Sequence, residues 1–385
     1  MSKKTLLLVA LIALLALAIF GCGQKEPADI GSGTDTPAGD GEILVGIMVP
    51  TTGSEATYGK DMENSFNLAV DHINAAGGVN GKMIKTVTAD DACDPQQSAS
   101  AANKLISQGV VAVVGGYCSG ATIPTLSLYN DAKIPFIITA ANSSKLADEN
   151  PGNCFQTNGT AFHQIEKAME MWTKGGVKKV AVVHQGDAYS ADLANIVEKE
   201  WPAAGNEVVA IEVMNKGEQD TSALVTRLKA KNPDLVFWTA YFADGGLLIK
   251  QLRQSGYEGK IMVGDGSCSP QLIQIGGTAT EGVQVLSSPI AEYLPAAKEF
   301  SEKYKEKYNA DPGPYAALAY DGMGLLADAM SRAGSTDFDA VVQALKDTDN
   351  YEGVAGTTSF AENHTLAKSN FMVVEVKDGK FTFVQ

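Results

Sequence analysis

EILVGIMVPTTGSEATYGKDMENSFNLAVDHINAAGGVNGKMIKTVTAD, residues 42–90, sets the pattern that the rest of the chain repeats. Residues 43–49 are a continuous apolar run of strand length. Residues 59–76 then put Met62, Phe66, Ala69 and Ile73 on one helical face, and Gly77-Gly78 stops the helix. A second strand follows at 83–88. Further strands are expected at 110–114 and 135–138, with helices at 96–108 and 121–131. A second set begins near Ala161. It has a helix running to Lys174, helices at 192–201, 222–231 and 245–255, and strands at 179–184, 207–213, 235–239 and 260–263. Short strands alternating with helices of about 10–15 residues form parallel sheets covered on both faces. Two such sets predict an α/β fold of two doubly wound lobes.

The last hundred residues change character. Helices at 295–309, 314–333 and 338–347 follow one another, and strands are expected at 357–360, 371–376 and 381–384. Helices after the second lobe and then closing strands imply a chain that crosses between lobes more than once. The expected division is 42–159 and 289–351 for the N-terminal lobe, and 160–288 and 352–385 for the C-terminal lobe and hinge. Several crossings make a multi-strand hinge with a cleft between the lobes, and open α/β sheets bind ligands at the carboxyl ends of their strands.

The 385 residues are 45% hydrophobic and 19% charged, enough to bury a real core. The net charge is −15. Residues 1–21 contain Lys3 and Lys4 and no acid, so the remainder is more acidic still. Such a balance excludes nucleic-acid partners and adhesion to anionic lipid through surface charge. Lys3-Lys4 and the apolar run 6–20 form a signal peptide, residues 1–21. The end of that run, Ile19-Phe20-Gly21-Cys22, resembles the bacterial lipobox, with Phe20 as a departure from it. That likeness makes Cys22 the lipidated first residue of the mature chain, whereas a plain secretory signal is the alternative. Residues 22–41, rich in Gly, Pro, Thr and Asp, read as a flexible tether. The expected location is the cell envelope, with an exported body held by its N-terminal lipid and facing the periplasm or cell exterior.

Beyond Cys22 the cysteines are Cys93, Cys118, Cys154 and Cys268, which allow three full pairings that sequence does not choose among. Neither they nor the four scattered histidines show metal-ligand spacing, so no metal and no cofactor is expected. Three loops deserve weighing. Gly53-Ser-Glu-Ala-Thr-Tyr-Gly59-Lys60 has five residues between its glycines, and Asp61 stands where a phosphate loop needs Ser or Thr. It reads as the mouth of a cleft with Tyr58 pointing in. Gly116-Tyr117-Cys118-Ser119-Gly120 is open to two readings. As a nucleophile elbow it would place a thiolate at Cys118 for a hydrolase. As a helix start capped by Ser119, with Cys118 in a structural bridge, it carries no chemistry. Gly264-Asp265-Gly266 is equally a turn or a cleft acid. Tyr189 and Tyr241, at helix and strand ends, are core packing or cleft lining.

Asp90-Asp-Ala-Cys93-Asp-Pro-Gln, the turn with Cys118-Ser119, the opening Val49-Pro-Thr-Thr-Gly53…Tyr58-Gly59, Asp71-His-Ile-Asn74-Ala-Ala-Gly-Gly78 and Tyr320-Asp321-Gly322 together resemble the branched-chain amino-acid (leucine/isoleucine/valine) binding proteins of bacterial ABC importers. The likeness runs from about Ile43 to the end. It implies a type I periplasmic binding protein, a Cys93–Cys118 disulfide, no enzymatic activity, and a monomer that passes an amino acid to an ABC transporter permease. It also implies that Ser119 meets the ligand carboxylate and the Ala140 carbonyl its ammonium. Asn142 stands where the family has Thr, and Asp265 where close relatives have Glu; the shorter Asp requires tighter closure or a bridging water. Tyr189 and Tyr241 match second-lobe tyrosines, and Tyr58, Tyr117 and Tyr315 would line the side-chain pocket.

A zwitterion in a closed cleft needs both charges satisfied. The candidate residues supply hydroxyl and N–H donors, one carboxylate and no Lys or Arg. That set suits a neutral, aliphatic amino acid better than a dianion. A sensor domain, an importer component for another small amide or carboxylate, and a Cys118 hydrolase are the other readings carried forward.

Overall fold

The computed structural model describes residues 41–384. Cys22, the signal segment 1–21 and nearly all of the 22–41 tether lie outside the described residues.

Strand β1 (Glu42–Val49) is buried from Ile43 onward, as a strand covered on both faces must be. Helix α1 (Ala56–Ala75) buries Met62, Phe66 and Ala69, with Ile73 partly covered. It starts three residues before the expected position, so the Gly53–Lys60 segment is a turn and the first helical turn. Then follow β2 (Met83–Asp90), α2 (Pro95–Ser107), β3 (Ala112–Gly115), α3 (Ser119–Thr122), α4 (Thr125–Asp131), β4 (Phe136–Ile138), α5 (Lys145–Asp148) and β5 (Cys154–Gln156). The helix expected at 121–131 is two pieces. Pro124 precedes the second piece, where its missing N–H costs least. The five strands are parallel in the order β2-β1-β3-β4-β5.

The second set comprises α6 (Ala161–Lys174), β6 (Lys179–His184), α7 (Ser190–Ala203), β7 (Glu207–Val213), α8 (Ser222–Ala230), β8 (Leu235–Trp238), α9 (Phe242–Gln254), β9 (Lys260–Val263), α10 (Pro270–Gly276) and β10 (Gln284–Ser287). Helices α11 (Lys298–Tyr308), α12 (Ala316–Ala333) and α13 (Phe338–Lys346) come next. After them lie a small hairpin, β11 (Tyr351–Glu352) with β12 (Thr357–Thr358), and then β13 (Met372–Lys377) and β14 (Lys380–Val384). The second sheet has the order β14-β13-β10-β9-β8-β6-β7. It is parallel from β7 to β10, and its last two strands run antiparallel.

The fold is therefore two α/β lobes about a multi-strand hinge, that of a type I periplasmic binding protein. Helix α12 returns to pack on α1 and on β3 and β4 of the first sheet. The β11–β12 hairpin stays with it, because the buried Asp321 carboxylate of α12 accepts from the N–H groups of Val354 (2.8 Å) and Ala355 (2.7 Å). The expected strand at 357–360 thus shrinks to two residues and joins neither large sheet.

Three crossings are tied together. The Asn158 carboxamide oxygen accepts from the Ser288 hydroxyl (3.1 Å), the Gly159 N–H donates to Asn370 Oδ1 (2.9 Å), and Asn370 Nδ2 donates to the Thr157 carbonyl (3.2 Å). Among the described residues no helix is long and apolar enough to cross a membrane.

Candidate ligand cleft

The cleft lies between the carboxyl ends of the two sheets. Each residue that lines it follows from how a strand ends. After β3 the chain turns sharply through Gly115 and Gly116, both with positive φ (135° and 73°), and a Cβ at Gly115 would stand 2.1 Å from the Met48 carbonyl oxygen. Only glycine permits that approach, and the turn presents Tyr117, Cys118 and Ser119. Ala140, Ala141 and Asn142 leave β4. Tyr189 precedes α7, Tyr241 precedes α9, Asp265 opens a 3-10 turn after β9, and Tyr315 precedes α12.

All of these side chains except that of Cys118, together with Gly266, line a cavity of about 10 Å³. That is water-sized, so the lobes must part to admit an amino acid. Eight of the nine residues expected from the sequence line this cavity. The ninth, Tyr58, stands behind them. Its ring stacks on Tyr117 (5.0 Å between centroids) and meets Tyr315 and Phe242 edge-on (5.5 and 5.7 Å). Burial holds all five tyrosine hydroxyls far above their usual titration range, so they act as neutral donors.

Asp265 is the centre of the polar network and only 2% exposed. Its Oδ1 accepts from the Tyr189 hydroxyl (2.7 Å) and Gln164 Nε2 (2.6 Å), and its Oδ2 from Asn142 Nδ2 (3.0 Å) and the Tyr315 hydroxyl (3.2 Å). Burial raises its pKa, and these four donors oppose the rise. All four are neutral, and no Lys or Arg is among the residues lining the cavity. Two of these donors, Asn142 and Tyr315, come from the first lobe.

Asn142 is not oriented as a carboxylate donor. Its amide nitrogen points to Asp265, and its Oδ1 is buried with no hydrogen-bond partner. Ser119 departs from expectation too. Cys118 occupies the cap position of α3, and the Ser119 hydroxyl instead accepts from the backbone N–H groups of Asn142 (3.3 Å) and Ser143 (3.2 Å). With both acceptor positions filled, its proton is left to donate. The Ala140 carbonyl already accepts from Asn158 Nδ2 (2.8 Å) and keeps a second lone pair.

Cys93 and Cys118 form a disulfide, with Cα atoms 5.3 Å apart, pinning the loop after β2 to the cleft turn. The hydrolase reading falls with it, since Cys118 has no thiolate to attack with. Cys154 and Cys268 are free and buried; burial pushes the Cys268 thiol up to about 12. The acidic stretch around Cys93 proves architectural. Asp90 Oδ1 accepts from the Thr51 N–H (2.8 Å), Asp91 from the Cys93 N–H (2.9 Å), and Asp94 caps α2 through Gln96 and Gln97 (2.9 Å each).

Sequence reasoning missed Ala141, Gly266, Gln164 and Glu55. Gln164 had a readable signal: it interrupts the apolar stripe Ala161, Ile165, Ala168, Trp172 of α6. Glu55 lies behind the tyrosine wall, also 2% exposed, and accepts from the Tyr117 hydroxyl (3.3 Å). Burial, opposed by Ser54, Lys216 and Tyr117, lifts its pKa to about 7. Asp61, the residue that argued against a phosphate loop, accepts from the Gly313 N–H (3.0 Å) and the Tyr304 hydroxyl (2.7 Å).

Two lobes joined by three tied crossings, closing on a polar cleft with a tyrosine wall, define a hinged, non-catalytic binding protein. The chain belongs to the periplasmic binding protein family, whose family model matches residues 42–380, and is homologous to the branched-chain amino-acid binding proteins of ABC importers. It is 32% identical to a Leu/Ile/Val-binding protein homolog of Brucella abortus over 89% of this chain and 94% of that one. It is 31% identical to the leucine-, isoleucine-, valine-, threonine-, and alanine-binding protein of Pseudomonas aeruginosa, over 97% of each chain. The crystal structure of a branched-chain amino acid transporter substrate-binding protein from Streptococcus pneumoniae, in complex with isoleucine, superposes with a TM-score of 0.80. The two are 30% identical, over 88% of this chain and 97% of that one. The protein is thus an exported substrate-binding protein that delivers its ligand to an ABC importer.

Proposed function

We propose that the ligand is a neutral amino acid with a branched aliphatic side chain. The observation that carries this reading is Asp265, a buried carboxylate in the cleft wall held by neutral donors alone. A buried carboxylate without a cationic partner is costly, and a ligand ammonium supplies that partner. The Tyr315 hydroxyl, the longest of the four contacts, is the donor such an ammonium displaces. The unpartnered Asn142 Oδ1 and the Ala140 carbonyl accept its remaining protons. The Ser119 hydroxyl donates to the ligand carboxylate, and Tyr117, Tyr241 and Tyr315, backed by Tyr58, face the side chain, with Tyr189 holding Asp265. The relatives' named ligands support the aliphatic class.

The same reading includes a monomeric body anchored to the membrane by lipid on Cys22. It also includes lobes made of 42–159 with 289–351 and of 160–288 with 352–385. The hold of Asp321 on Val354 and Ala355 argues for moving the last boundary towards Asn370.

A thermal-shift panel tests the ligand class, because a compound that binds only the folded state raises Tm. Leucine, isoleucine and valine should raise it, whereas glutamate and 4-methylpentanoate should not. A rise with 4-methylpentanoate equal to that with leucine would remove the ammonium assignment.

A further inference from the structure

Outside the cavity, a second carboxylate bridges the lobes. Asp192 lies in the first turn of α7, on the second lobe, and is half-buried. Both of its oxygens point to the first lobe. Oδ2 accepts from the Ser144 N–H (2.6 Å) and the Ser143 hydroxyl (3.1 Å), and Oδ1 from the Ser144 hydroxyl (2.8 Å). None of the three residues lines the ligand cavity.

Ser144 is the cap residue of α5, yet its own side chain makes no capping bond. Asp192 instead holds this residue's own N–H and hydroxyl from the opposite lobe. Opening the cleft would break all three bonds at once and return the Ser144 N–H and the two serine hydroxyls to water. Hydrogen bonds to an ionised carboxylate are the stronger kind, and these three exist only while the lobes are together.

We propose that Asp192 is a closure latch: it holds the shut lobes through Ser143 and Ser144 without touching the ligand, and so sets how long any ligand stays bound. The inference deepens the binding role of the cleft but does not depend on which amino acid enters it. A residue acting on closure alone changes the fraction of closed protein equally for every ligand, so it changes affinity without changing preference.

Stopped-flow measurement of leucine release tests it. Asp192→Ala should speed release about tenfold and leave association within about twofold, because the latch forms after encounter. The ratio of leucine to valine affinity should not move. Replacing Ser143 and Ser144 by Ala in the Asp192→Ala background should add little, since the bonds are already gone. Unchanged release, a shifted leucine-to-valine ratio, or fully additive losses would each overturn the latch.

A ligand-free arm separates this from the ligand assignment. Energy transfer between dyes on cysteines placed at the exposed Lys104 and Lys199 should show a closed population that Asp192→Ala lowers about tenfold. A population that Asp192→Ala leaves unchanged, or none in the parent, overturns the latch even if leucine binds. Failure of every amino acid to bind, with this arm intact, overturns only the ligand assignment.

Discussion

Asp192 and Asp265 make the same gesture with different consequences. Each is a second-lobe carboxylate that reaches the segment 142–144 leaving β4 of the first lobe. Asp265 is sealed in the cavity wall and takes donors from both lobes, two from its own (Gln164 and Tyr189) and two from across the cleft. Asp192 stands at the rim and takes all three of its donors from across the cleft. One carboxylate is preorganised by its own lobe and finishes its coordination on closure. The other is satisfied by closure alone. In the roles proposed above, the contrast separates recognition from retention, within three consecutive first-lobe residues.

The largest expected effect comes from Asp265→Asn, which keeps the shape and removes the charge. Leaving a ligand ammonium without its counter-charge in a shut cleft should cost roughly 2–5 kcal/mol of binding, about thirtyfold or more in affinity. Titration calorimetry with leucine measures it. A loss no greater than that of Asp192→Ala would erase the distinction between the two acids.

Next in size is the disulfide. Replacing Cys93 and Cys118 by Ser should lower the unfolding free energy by about 2–4 kcal/mol. Denaturant unfolding checks this. Because the bridge pins the turn that carries Ser119, the change should weaken leucine binding as well. Stability lost with binding intact would show that Ser119 is held well enough by the N–H groups of Asn142 and Ser143.

The smallest effect concerns a third acid at the closed interface, Glu55, which lies close enough to Lys216 and Asp244 of the second lobe to feel their charges. Its pKa is raised from 4.5 to about 7, so the folded protein keeps a proton that the unfolded chain releases between those values. Stability from this carboxyl is therefore fully present below 4.5 and lost as pH rises through about 7. Asp61 and Asp91, raised to about 6, and Asp321, raised to about 7, tilt the profile the same way. Glu55→Gln should make the fall in unfolding free energy between about pH 4.5 and 7 shallower, by at most about 1.4 kcal/mol per pH unit. A slope that does not change would mean that Glu55 is already ionised in the fold.

The strand ends were readable because a parallel strand buried on both faces leaves an unbroken apolar run, and the residue after the run falls in the cleft. That rule places Tyr241 and Asp265 at strand ends without choosing between packing, turn and cleft, and it was the family resemblance that assigned them, with Ser119 and Asn142, to the site. Strands β5 and β10 escaped the rule, since each holds only two apolar residues beside polar ones, whereas β3 and β4, just as short, lie in unbroken apolar runs. The roles within the site were less legible than its membership. Asn142 turns its nitrogen to Asp265 across the cleft, and Ser119 reaches to the turn 142–143 of its own lobe; neither contact is local in sequence. Asp192 and Glu55 look like ordinary residues at the start of helices. Only the meeting of two lobes, each folded from its own stretch of chain, gives Asp192 its partners and sets Lys216 and Asp244 near Glu55.

The knot of Asn158, Ser288 and Asn370 has a mechanical consequence. Two bodies joined by a single tether can twist, slide and swing, and each reclosure would search for its register. Three tethers fastened to one another suppress the twist and the slide, leaving one soft coordinate, a swing. Every closing stroke then returns Asp265 to Asn142 and Asp192 to Ser144 along the same arc, so the molecule shuts like a door on its frame.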